Sequence, residues 1–235
     1  MGQLVASQAR AAGHEIGEVI TSSEATVALD DLSARICGHD VAIDFSVAPA
    51  VERNVAACVH AMLPLVEGTT GWHSQRDTVC AMVADHGGSL IYGANFSVGV
   101  NLFYRVVTRA AELFAHASDY SAFIEEAHHQ QKRDAPSGTA LRLRDLLKES
   151  LEGEIPIAST RAGSIPGTHR VGFDSAADQI TLMHTARSRA GFAAGALLAA
   201  DWIIGRKGVF EFSETIDQVI ANCQLQNADS SNDER

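Results

Sequence analysis

The chain is short of cationic charge. Eighteen Lys and Arg stand against twenty-nine Asp and Glu in 235 residues, a formal net charge of −11. A nucleic-acid binder carries a basic footprint, so the balance speaks against that class. Long apolar runs are missing too: none reaches the roughly 20 residues that cross a bilayer, so no membrane partner is expected. The opening Met1-Gly2-Gln3-Leu4-Val5 has no basic region leading into an apolar core, and no secretory signal is read there. Cysteine is sparse and scattered, at Cys37, Cys58, Cys80 and Cys223, with no C-x-x-C pair. A reducing, cytoplasmic setting fits that pattern better than a disulfide scaffold or a zinc site. The spacings of metal hydrolases, such as H-E-x-x-H, are lacking as well. There is no internal repeat.

What is present is a regular alternation. Met1 to Ala12 reads as a helix stopped by Gly13, and His14 to Thr21 as a strand. Val41 to Ser46, Leu63 to Glu67 and Ser89 to Ala94 are short apolar runs of the buried parallel kind. Helices lie between them: Asp31 to Ile36, Ala50 to Ala61 opened by Pro49, and one capped by Ser74 that runs to Asp85. Strands alternating with such helices predict βαβ units and a parallel sheet. Ligands bind such sheets at the carboxyl ends of the strands. Three turns of small or hydroxyl residues fall there: Phe45-Ser46-Val47, Gly68-Thr69-Thr70-Gly71 and Gly93-Ala94-Asn95-Phe96-Ser97.

After residue 97 the pattern changes. A long helix, Val98 to His116, precedes a mixture of strands, one helix (139–150) and a Gly-rich passage from Arg161 to His169. Gln179 to Ala186 alternates as a strand does. Gly191 to Ile204 is apolar on nearly all sides and reads as a buried helix, and the polar tail from Asn227 reads as disordered. Residues 128–190 hold nine of the eighteen Lys and Arg and four histidines, so an acidic chain carries a locally basic segment able to focus a small anion.

The densest chemistry lies in Glu125-Glu126-Ala127-His128-His129-Gln130-Gln131-Lys132-Arg133-Asp134-Ala135-Pro136-Ser137-Gly138-Thr139-Ala140. Tyr120 to His129 reads as a strand. Pro136 disfavours helix at Ala135, and Ser137-Gly138-Thr139 then supplies a cap ahead of Leu141, Leu143, Leu146 and Leu147. A helix start offers free N–H groups to an anion. Lys132 adds a cation, and the histidines exchange protons near neutral pH. Anion site, cation and proton donor together point to chemistry on a carboxylate. His128 and His129 are adjacent on a strand and so face opposite sides, which argues against one metal ion taking both. His169 and His184 are read as core or interface residues.

The run Glu126 to Ala140 resembles the signature of the 4-hydroxy-tetrahydrodipicolinate reductase (dihydrodipicolinate reductase) family. So do Gly68-Thr69-Thr70-Gly71, Ala94-Asn95-Phe96-Ser97-Val98-Gly99-Val100-Asn101 and His184-Thr185-Ala186-Arg187-Ser188-Arg189 with Phe192, Ala193, Gly195, Ala196 and Leu197, in the same order. The resemblance implies an α/β fold: a Rossmann-like parallel sheet lacking its first strand, plus an α+β substrate and oligomerisation domain with a mixed sheet. It places the dinucleotide domain at 1–96 plus 191–235 and the substrate domain at 97–190. It implies NADH- or NADPH-dependent reduction of a cyclic dicarboxylate in lysine and diaminopimelate biosynthesis, by a homotetramer. By resemblance His128 donates the proton with Lys132 assisting. His129, Gly138 and Thr139 fall on substrate contacts, with Thr70 and Ser137 nearby. Separately, Arg187 and Arg189 alternate on one strand face and either can bind a carboxylate or form an ion pair, Arg189 being favoured as the substrate contact. Gly68, Thr69, Thr70, Gly93, Ala94, Asn95 and Phe96 fall on cofactor contacts; Phe45, from its strand-end turn, and Gly2, from the end of the family's opening glycine loop, are added to them.

Two departures stand out. The family opens with a strand and a loop of the form G-x-x-G-x-M-G, of which Met1-Gly2 matches only the end. An N-terminally truncated cofactor site, with weak cofactor binding, is therefore expected. Where an acidic residue would hold the adenine ribose, the chain reads Val19-Ile20-Thr21-Ser22-Ser23-Glu24, which leaves NADH against NADPH open. The competing readings are an inactive homologue kept for binding or assembly, and another oxidoreductase of the same two-domain plan.

Overall fold

The computed structural model describes residues 1–24 and 26–232. In chain order the elements are α1 (Gly2–Ala11), α2 (Leu29–Ile36), β1 (Ala42–Asp44), α3 (Val51–His60), β2 (Leu65–Glu67), α4 (Arg76–Asp85), β3 (Ser89–Tyr92) and α5 (Val98–Phe114). They continue with β4 (Ser121–His128), α6 (Gly138–Lys148), β5 (Ile157–Arg161), β6 (Thr168–Asp174), β7 (Gln179–Thr185), α7 (Ala190–Ile203), β8 (Gly208–Glu211) and α8 (Phe212–Asn232). The chain divides into two compact units, Met1–Val98 with Ala190–Arg235, and Gly99–Arg189.

The first unit is built on a parallel sheet in the order β1-β2-β3-β8. Successive strand residues face opposite ways, and here both faces are covered. Leu65 and Leu90 join Val51, Val55, Val79 and Val83 from α3 and α4. Their neighbours Val66 and Ile91 join Ala196, Ala199, Trp202 and Ile216 from α7 and α8 on the other side. This double burial is why the strands read as unbroken apolar runs. The alanine-rich α7 can lie close to the sheet end: a Cβ at Gly195 would stand 1.7 Å from the Phe96 carbonyl oxygen.

Three local expectations are corrected in this unit. His14 to Thr21 is not a strand, because no neighbouring strand offers it a ladder among the described residues. Side chains hold it instead: Arg35 donates to Glu18 at 2.8 Å, and the Glu18 N–H donates to His39 at 3.2 Å. Ser74 lies inside a short 3-10 turn, and α4 starts after Gln75 with no side-chain cap. The tail from Asn227 continues α8 as far as Asn232, and residues 233–235 lie outside the described chain.

The second unit carries a mixed sheet, β5-β4-β6-β7, in which β4 and β5 run parallel and the other pairs antiparallel. α5 and α6 cover one face, where Phe103, Val107, Leu143 and Leu147 pack on Ile124, Val171 and Phe173. The other face stays open and holds Glu125, Arg170 and the 66% exposed Met183. Residues of β4 therefore alternate, with Ile124, Glu126 and His128 buried and Glu125 exposed.

Candidate active site

β4 ends at His128, and the chain crosses to α6 through Lys132 and a cis Ala135–Pro136 bond. Ser137 caps α6, its Oγ accepting from the Ala140 N–H at 3.2 Å. Gly138 is exposed and Thr139 half-buried against the Tyr104 hydroxyl of α5. Lys132 is half-buried and its Nζ pairs with Asp134 at 2.9 Å, which holds that carboxyl below its ordinary range. One short segment thus gathers His128, Lys132, Ser137, Gly138 and Thr139. His129 follows directly, half-buried, its carbonyl accepting from the Lys132 N–H at 3.1 Å. Arg189 is exposed just before α7, and no hydrogen bond among the described residues ties it to this loop.

Around His128 lie three residues that were not among the expected site residues. Glu126 sits two positions earlier on the same face of β4, fully inside, and accepts from His128 Nδ1 through its Oε2. Arg161, at the end of β5, donates to both Glu126 oxygens at 2.7 and 2.9 Å. Its guanidinium is further held by the Asp134 carbonyl at 2.5 Å and the Thr160 carbonyl at 2.8 Å. His169 of β6, expected in the core or an interface, is buried with its Nε2 3.1 Å from Ser137 Oγ, and its ring meets that of His128 edge-on. The period of β4 was enough to place Glu126 beside His128. Arg161 and His169 arrive only through strand pairing, opposite His128 and Glu126 respectively.

The electrostatics follow from burial and these partners. Burial pushes the Glu126 carboxyl up, but hydrogen bonds from Arg161, Ser159 and His128 outweigh it and hold it at about 2. Burial pushes the His128 imidazole below its ordinary value; Glu126 opposes this, and Lys132 and Arg161 add to it. Burial, reinforced by His128, pushes His169 down to about 4, so it is neutral at pH 7. Glu126, His128 and His169 offer ligand atoms within 4.8 Å of one another. Arg161 donates to both Glu126 oxygens of this cluster.

In the first unit, Asp44, Glu67 and Tyr92 are register partners on adjacent strands, so the three turns that follow them lie side by side. Phe45 lays its ring over Gly68, where a Cβ would come within 2.2 Å of it. Thr69 is buried: its Oγ1 accepts from the Ser46 N–H at 3.0 Å and its carbonyl from Trp72 Nε1 at 2.9 Å. Thr70 and Ala94 are exposed, and Gly93 is buried. Asn95 accepts from the Ser97 N–H at 2.9 Å. Phe96 is 1% exposed and packs on Phe212, so it supports this turn from within the core. Gly2 begins α1, which packs on α7.

A doubly covered parallel sheet with small-residue turns at its carboxyl edge, joined in one chain to a mixed sheet whose loop carries histidine, lysine and a capped helix start, defines a two-unit α/β protein. The comparisons give the particular family. Its N-terminal profile (Dihydrodipicolinate reductase, N-terminus) matches residues 1–96, and its C-terminal profile (Dihydrodipicolinate reductase, C-terminus) matches residues 99–216. The chain belongs to the dihydrodipicolinate reductase family. It is 39% identical over 195 residues to a 4-hydroxy-tetrahydrodipicolinate reductase from Christiangramia forsetii, covering 78% of this chain and 82% of the relative. A protein of the same name from Methanococcoides burtonii is 35% identical over 212 residues, 81% of this chain and 80% of the relative. Among solved structures, dipicolinate-bound dihydrodipicolinate reductase from Paenisporosarcina sp. TG-14 matches with a TM-score of 0.67 at 24% identity, over 80% of this chain and 77% of that one. That likeness establishes the fold alone.

Proposed function

We propose that this chain reduces 4-hydroxy-tetrahydrodipicolinate to tetrahydrodipicolinate with loss of water, using NADH or NADPH, in lysine and diaminopimelate biosynthesis. The oxidoreductase class and the nicotinamide cofactor belong to the family. The observation that carries the finer reading is the loop from His128 to Thr139. It sets a proton carrier, a cation and a capped helix start within twelve residues.

The first unit is the cofactor unit in this reading, and its residues fit that group. Thr70 and Ala94 are exposed on small-residue turns while Phe96 is withdrawn into the core, so a flat ring can lie against backbone there. Gly68, Thr69, Gly93, Asn95 and Phe45 shape those turns. Bound, the nicotinamide supplies a hydride.

The second unit handles charge and protons. A ring carbon that accepts a hydride leaves an electron pair that a positioned acid must meet. His128 supplies that proton from Nε2, since Nδ1 is committed to Glu126. Lys132 neutralises charge on the dicarboxylate or as it develops. The N–H groups of Gly138 and Thr139 receive a carboxylate, with His129 and Arg189 of the same unit as further contacts. The open face of the mixed sheet, where Met183 is 66% exposed beside Arg170, supports assembly into a homotetramer. Among the described residues no helix is long and apolar enough to cross a membrane, which is compatible with the cytoplasmic setting proposed.

The test is a coupled assay with dihydrodipicolinate synthase product, following NAD(P)H consumption. His128→Asn and Lys132→Ala are expected to lower kcat by about 10²–10⁴-fold. Full kcat in either variant overturns that residue's role.

A further inference from the structure

We infer that Glu126, clamped by Arg161, is the positioning residue for His128, fixing which ring nitrogen delivers the proton. The inference rests on the reading of His128 as the proton donor.

Four observations converge on it. Glu126 shares the buried face of β4 with His128 and takes Nδ1–H on its Oε2. The Glu126 carboxylate cannot swing away, because Arg161 holds both oxygens in a fork and the Ser137 N–H adds a contact to Oε1 at 3.3 Å. The clamp is itself anchored on the Asp134 and Thr160 carbonyls, so it ties β4, β5 and the Lys132 loop together. Finally, the Nε2 edge of His128 faces Gly167, whose φ of +133° and missing side chain leave that edge clear. A Cβ there would sit 3.3 Å from Nε2.

The chemistry of the arrangement is directional. In the imidazolium both nitrogens carry protons, and Glu126 binds the Nδ1–H. Only Nε2–H is then free to leave. Once it has gone, the neutral ring is left as the Nδ1–H tautomer, which Glu126 still binds, so proton loss breaks no hydrogen bond to the protein. The same logic orients the base of a nucleophile–base–acid triad, used here for an acid. Arg161 prevents the alternative in which Glu126 itself takes the proton. The charged and titratable groups facing His128 are Glu126 on its own strand, Arg161 from β5, His169 from β6, and Lys132 with Asp134 in the loop. Glu126 is the one that favours the imidazolium most directly.

The experiment uses the full chain with Glu126→Gln, which keeps the shape and removes the charge, compared with wild type in kcat and kcat/KM from pH 5 to 9. The limb along which activity falls with rising pH should move about one pH unit lower, with about tenfold less kcat/KM above it and substrate KM within about twofold. Superimposable profiles overturn the inference. A second measurement needs no variant fold: in wild type, long-range ¹⁵N–¹H spectra of the neutral His128 ring should show hydrogen on Nδ1. Hydrogen on Nε2 overturns it. His128→Asn separates the two readings. If it is inactive while Glu126→Gln keeps the wild-type profile, only the role of Glu126 fails. If His128→Asn is fully active, the proton-donor reading fails first.

Discussion

Glu67 ends β2 with no exposure at all, and its register partner on β1 is another acid, Asp44. Asp44 is already an acceptor, from the Ser46 N–H and from Asn54 Nδ2, both at 2.7 Å. Glu67 Oε1 accepts from the Thr69 N–H at 2.7 Å, while its Oε2 has no donor aimed at it. Burial, and then the nearby Asp44, push the Glu67 carboxyl from 4.5 up to about 8. At neutral pH the acid is therefore protonated in the folded state and can donate towards Asp44. Also packed near this pair are Cys58 of α3, whose thiol burial pushes up to about 12, and Tyr92, the register partner of Glu67 on β3. Because the folded value lies above the unfolded one, the stabilising contribution is complete below pH 4.5. It is lost as pH rises to about 8, at about 1.4 kcal/mol per pH unit, on the order of 5 kcal/mol across the window. Glu67→Gln replaces the carboxyl proton by an amide hydrogen and cannot ionise. The variant should match wild type near pH 4.5, gain on it steadily up to pH 8 and hold that advantage above. Urea unfolding followed by tryptophan fluorescence reads this unit alone, since Trp72 and Trp202, the two tryptophans, both lie in it. Parallel stability–pH curves for the two proteins would refute the reasoning.

Two further substitutions probe the packing. Gly195→Ala drives a methyl into the Phe96 carbonyl, which as backbone cannot step aside, and should cost about 3 kcal/mol or more in urea unfolding. Gly191→Ala, in the same helix, meets only Ser97 Oγ at 3.7 Å and should be neutral or stabilising by up to about 1 kcal/mol; equal effects at the two sites would refute the close-approach argument. Ser137→Ala removes the α6 cap and the partner of His169 Nε2, and a loss of about 1 kcal/mol is expected by thermal unfolding. A rise in substrate KM should accompany it, and an unchanged KM would count against the helix start as the carboxylate site.

What the sequence disclosed follows from the range of the forces involved. Val66 and Ile91 belong to apolar runs because both faces of their sheet are covered, and that burial is written into a few adjacent residues. β8, only four residues long, pairs with β3 more than a hundred positions earlier, and nothing local distinguishes it from a turn. His14 to Thr21 shows the converse failure: alternation describes a strand's faces, but only a neighbour's ladder makes a strand. α8 runs on through polar residues that composition alone assigns to a tail. The candidate site divides in the same way. His128, Lys132 and Ser137 are contiguous and legible as a motif. The groups that decide what His128 can do with its proton are not. Glu126 needed only the two-residue period, whereas Arg161 and His169 are brought in by pairing with β5 and β6. A loop motif can therefore identify the proton carrier, but the choice between its two nitrogens is made by a charge 35 residues away from Glu126, and so belongs to the sheet.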